Sequence, residues 1–142
     1  MSAQFIWEGY GIGKLGNHML IVNPYLVFKF YTPNISDFEY NFCQLLPKSE
    51  IAILSLYSVI NSYGFAIIKK GKRIRVKYGA DEQVYFDYGK KLKEEIEVEK
   101  DSLDDGYSNG WRVVYRLLER YFGKDEKQVF NNLNSIELKE YK

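Results

Sequence analysis

The side chains able to do chemistry are sparse, and most stand without the neighbours their chemistry needs. Gly11-Ile-Gly13-Lys-Leu-Gly16 spells G-x-G-x-x-G, a spacing that in dinucleotide-binding folds bends the chain and sets backbone N–H groups against a pyrophosphate. That use requires a helix opening at the last glycines. Here Asn17-His-Met-Leu-Ile-Val-Asn23-Pro24 follows, which reads as strand or loop, so the glycines predict a hairpin. A glycine loop ahead of Lys29 resembles the opening of a protein kinase, yet the chain has no H-R-D or D-F-G motif, and 142 residues cannot hold both lobes.

His18 is the sole histidine, which excludes a two-histidine metal site, and Cys43 is the sole cysteine, which excludes an intramolecular disulfide and a multi-thiolate zinc site. The spacing of His18 and Cys43 gives no support to a base–nucleophile pair. Cys43 reads as a buried inert thiol beside a helix's apolar side. Ser55, Ser58 and Ser62 lack the G-x-S-x-G elbow of a serine nucleophile. No catalytic, cofactor-binding or metal-ligating residue is predicted.

Charge is more suggestive. Glu94, Glu95, Glu97, Glu99, Asp101, Asp104 and Asp105 cluster without the order of a calcium loop, and such a run reads as solvated. Opposite in sign is Lys69, Lys70, Lys72, Arg73, Arg75 and Lys77, followed by Tyr78, Tyr85, Phe86 and Tyr88. Cations beside aromatic rings can track phosphates and stack bases. With 20 Lys+Arg against 19 Asp+Glu, however, the net charge is +1 and no global field draws in nucleic acid. An acidic protein partner suits the same patch.

The elements that must position these groups follow from periodicity. Tyr25–Tyr31 and Glu50–Tyr57 read as buried strands in the centre of a sheet. Between them Ser36 and Glu39 form an S-x-x-E capping box, Phe38, Phe42, Leu45 and Leu46 form an apolar side, and Pro47 stops the helix. A meander runs from Tyr63 to Tyr88, with turns at Lys70-Gly71-Lys72 and near Gly79-Ala80-Asp81. In its middle strand Ile74, Val76 and Tyr78 alternate with Arg73, Arg75 and Lys77, which predicts the cations on a wet face. Asp101–Ser108 reads as a linker. Trp111, Val114, Tyr115, Leu118 and Phe122 recur at helical spacing, capped by Asn109 and ended by Gly123. Asp125-x-x-Gln128 opens a further helix, and Ile136–Tyr141 closes as a strand or docked tail.

Hydrophobic residues make up 46% and charged residues 27%, ordinary for a globular domain, whereas 17% aromatic content is high. Asn23, Pro24, Lys29, Asn61 and Ser62 interrupt the most apolar windows and disqualify them as membrane spans. No basic segment and apolar stretch of a secretory signal opens the chain, and the expected setting is cytoplasmic.

Gly64–Arg75, then Val84-Tyr-Phe-Asp-Tyr-Gly89, and Gly110–Gly123 together resemble a family of small bacterial α+β domains of unknown function. That resemblance covers about the C-terminal half, implies a hairpin meander followed by a covering helix, and carries over no catalytic residue. The expectation is one domain over residues 1–142, a β-rich body to about residue 100 and a helical segment over about 108–133. Its class is α+β, an antiparallel or mixed sheet with helices mainly on one face. The function expected is non-catalytic protein binding of an accessory or immunity type, with a protein partner or homodimer engaging Arg73, Arg75, Lys77, Tyr85 and Asp87. A small enzyme or ligand-binding domain with a pocket between sheet and helices is the alternative, and a weak nucleic-acid binder using 69–78 a third.

Overall fold

The computed structural model describes residues 10–81, 83–101 and 108–141. The chain is α+β, with four α-helices and two antiparallel sheets among the described residues. Its contacts group into two compact units, one from the described residues of Met1–Leu26 and Leu118–Lys142, the other from those of Val27–Leu117.

In the first unit β1 (Tyr10–Leu15) and β2 (His18–Val22) form a hairpin, and β7 (Lys139–Tyr141) pairs with the other edge of β1. The G-x-G-x-x-G glycines are therefore hairpin residues, as expected. Gly16 turns the chain at positive φ. Gly13 has no room for a Cβ, which would collide with Ile136 and Leu138. Those two residues are buried, with Leu15, Leu20, Val22, Phe122 and Leu133 packed around them. Leu133 lies on α4 (Glu126–Ser135), whose first turn is capped by Asp125 accepting from the Gln128 N–H at 2.8 Å.

The second unit is built on the sheet β3 (Glu50–Tyr57), β4 (Ser62–Lys69), β5 (Lys72–Ala80) and β6 (Gln83–Gly89), in that spatial order. Lys70 and Gly71, both at positive φ, make the two-residue turn between β4 and β5 that the right-handed twist of a hairpin favours. β4 is buried from Ser62 through Ile68, so this sheet is covered on both faces around its centre. α1 (Asp37–Leu45) is capped by Ser36, whose Oγ accepts from the Glu39 N–H at 3.1 Å. α2 (Lys93–Asp101) follows β6, and α3 (Asn109–Phe122) buries Gly110, Trp111, Val113, Val114 and Leu117. The first turn of α3 is met by Ser108, accepting from Trp111 N–H at 3.3 Å, where Asn109 was expected as the cap.

Four further expectations change. Residues 26–29 form a short 3-10 helix and not a central strand, because the Asn23 side chain accepts from the N–H groups of Tyr25 and Leu26 and starts a turn directly after Pro24. β3 lies at an edge of its sheet, not in the centre. The acidic run expected as a loop is helical over Lys93–Asp101, with Glu94, Glu95 and Val98 buried. Its remaining carboxylates Asp104 and Asp105, like most of the linker expected over 101–108, lie outside the described residues.

Candidate functional site

The fourth correction concerns the residues expected on the wet face. Arg73 is 6% exposed and Arg75 1%, so neither presents its guanidinium to a partner. Simple alternation fails because β5 carries a bulge: Ile67 pairs with Arg75 and Ile68 with Arg73, leaving Ile74 as an extra residue. Directly opposed residues share a face. Arg75 thus lies with Phe65 and Ile67, and Arg73 with Ile68, Ala66 and Gly64 on the other face.

Each arginine meets a glutamate from the first turn of a helix. Arg73 donates from Nε and Nη2 to Glu39 of α1, the closest contact being 2.7 Å, and also reaches the carbonyls of Phe30 and Thr32. Arg75 donates from Nε and Nη2 to Glu95 of α2 at 2.9 and 2.7 Å, and from Nη1 to Asp87 of β6 and the Tyr88 carbonyl. Glu95 also accepts from the Leu92 N–H at 2.7 Å, closing the entry of its helix. A bidentate guanidinium–carboxylate pair satisfies both groups where water is excluded. Burial pulls the Arg75 pKa down, but its hydrogen bonds to Glu95 and Asp87 outweigh this and the net direction is up. The same hydrogen bond holds the Asp87 carboxyl below its ordinary range. Helix contacts consequently fall on both sheet faces: α1 on the Arg73 face, α2 on the Arg75 face, with Gly110 of α3 tight against Tyr63 of β4.

The basic segment thereby loses two of its six cations from the surface, and Lys69 pairs with Glu50 at 3.7 Å. Cys43 is buried, and burial, followed by the charge of Glu39, pushes its thiol pKa up. That makes it less nucleophilic. His18 stands in β2 with the rings of Tyr121 and Phe122 about it.

What remains accessible is β6. Among the described residues it is an edge strand, paired through β5 on one side only, and every residue of Gln83–Gly89 is exposed except Phe86, which is half-buried. Phe86 pairs with Tyr78 and Val84 with Gly79, so Tyr85 is the extra residue of a second bulge. The Tyr85 ring lies 5.5 Å from that of Tyr78, which stacks on Tyr31 at 5.4 Å and touches Phe28 at 5.9 Å. Tyr31 is buried, and burial drives its hydroxyl pKa well above the ordinary tyrosine value. The other end of this aromatic row is wet, Tyr85 being 54% exposed, and Tyr88 further along the strand is 47% exposed. Of the five residues singled out in the sequence, Tyr85 and Asp87 lie on this edge. Lys77 is half-buried as the cross-strand partner of Asp87, and Arg73 and Arg75 act from beneath. Val84 was not singled out for binding, and Tyr88 only among the rings that could stack bases; edge position is the property that exposes them, and it is not encoded locally.

A second apolar surface lies on α1. Phe38 and Phe42 stack on each other and touch Phe30, while with Asn41 and Leu45 they line an open groove of about 410 Å³. The helix turns Glu39 and Cys43 inward and leaves much of its apolar side in solvent. No titratable side chain lines the groove.

Among the described residues, no three His, Cys, Asp or Glu gather as metal ligands would, and no helix is long and apolar enough to cross a membrane. The fold and its exposed edge define an α+β protein with an accessible aromatic strand. Comparison with protein-family models, with curated proteins and with solved structures finds no match.

Proposed function

We propose that this chain is a non-catalytic, cytoplasmic protein-binding module, and that it engages its partner through the edge strand β6. The observation that carries this reading is the combination of an unpaired strand edge with exposed Val84, Tyr85 and Tyr88 on a strand anchored from below by Arg75. Edge strands offer a row of backbone donors and acceptors, and a partner strand added there gains main-chain hydrogen bonds while side chains supply selectivity. Tyrosine suits such a surface, since its ring buries apolar area and its hydroxyl stays hydrated. The buried ion pairs fix the strand's position without competing for the ligand.

The test is hydrogen exchange. Outward-facing amides of 83–89 exchange fast in the isolated chain and slow markedly in the complex recovered from cells that express it. Recovery of the chain without a partner, or a complex in which exchange over 83–89 is unchanged, rejects the reading.

A further inference from the structure

The chemistry at the two ends of β6 differs, and this specifies the segment that pairs with it. Resting on the binding role of β6 proposed above, we infer that its ligand is an extended protein segment with apolar side chains over Tyr85 and Tyr88 and carboxylates beside Lys90 and Lys93. Within Gln83–Gly89 there is no lysine, arginine or proline, the residues that commonly blunt an edge. The strand's one charge, Asp87, is already held by Arg75. Immediately beyond its end stand Lys90, Lys91 and Lys93, all exposed. Lys91 pairs with Glu99 on the surface, an exchangeable contact of small worth. A segment lying along β6 therefore meets an aromatic, uncharged stretch and then a concentration of positive charge, which selects an apolar strand flanked by acid.

A second copy of the chain fits less well in two of the available registers. Antiparallel pairing of two β6 strands about Asp87 sets the two Asp87 residues opposite each other, and pairing about Tyr88 sets Lys90 opposite Phe86. Neither is a favourable cross-strand pair, whereas pairing about Phe86 sets Val84 opposite Tyr88, so self-association is one outcome that the test distinguishes.

Panning a random heptapeptide library against the full chain tests this directly. Enriched peptides are expected to alternate apolar residues and to carry Asp or Glu at one end. Lys90→Glu/Lys93→Glu is expected to weaken them by ~10-fold or more, with the loss shrinking at high salt. Lys127→Glu on α4, an exposed site, leaves them unaffected. Peptides that protect 83–89 from exchange but carry no acidic end, or that bind the double variant equally, overturn the acidic-ligand inference while β6 keeps its role. Self-association through β6 likewise overturns the acidic ligand and leaves β6 its role, whereas peptides that protect other segments, or no enrichment at all, overturn both.

Discussion

β4 and β6 belong to one antiparallel sheet and are similarly rich in apolar and aromatic residues, yet β4 is buried over seven successive positions and β6 has no fully buried residue. Composition does not separate them; place in the sheet does. β4 has a strand on each side and helices over its faces, whereas among the described residues β6 has a neighbour on one side only. Apolar character in β4 is consumed by the fold. In β6 it remains available, and the strand is kept in place by charge from β5.

That contrast can be broken from either end. The largest effects belong to the buried pairs and the central strand. Glu95→Ala leaves buried Arg75 with the half-exposed Asp87 as its sole carboxylate partner among the described residues and is expected to cost about 3–5 kcal/mol, as is typical when one member of a buried pair is removed, measurable by urea denaturation. Phe65→Ala on β4 empties a fully buried site and should cost about 3–5 kcal/mol. Gly64→Ala is smaller: its Cβ would collide with the Tyr31 ring and approach Ser55 Oγ within 2.9 Å, an overpacking expected to cost about 1–3 kcal/mol by the same assay.

Asp87 sharpens the comparison because its side chain is half-exposed, and solvent screening reduces its worth to about 1 kcal/mol or less. Its folded pKa lies below the ordinary value, so its stabilisation is full above the unfolded carboxyl pKa and disappears as pH falls through the folded one. The stability difference between wild type and Asp87→Asn should therefore be present at neutral pH and shrink below about pH 4. The smallest expected change is Tyr85→Thr on β6, within about 0.5 kcal/mol. The same substitution should weaken partner binding if β6 is the docking edge. A large stability loss at Tyr85 would mean that β6 is integrated into the core as β4 is.

Much of the local architecture was legible in the residues. Ser36 and Asp125 cap the helices they precede, Lys70-Gly71 turns the hairpin, and Gly123 follows the last residue of α3. Glu39, however, serves the capping box only through its backbone N–H; its carboxylate is drawn to Arg73. α2 was hidden because charged residues occupy positions that apolar ones usually fill, and Glu95 can be buried there only because Arg75 awaits it. The candidate site was half legible: Tyr85 and Asp87 lie on the exposed edge, and the arginines support it from inside.

The sequence by itself determined the caps of α1 and α4, the tight turn, the hairpin meander and the lack of a recognisable catalytic motif, since each depends on residues a few positions apart. The tertiary structure alone decided which strands became edges and where β5 bulges. One unpaired residue, Ile74, sends Arg73 and Arg75 to opposite faces, because side chains alternate with a period of two only while the pairing register is unbroken. That register is settled by β4 and β6 on either side of β5, and the burial of both arginines follows from it.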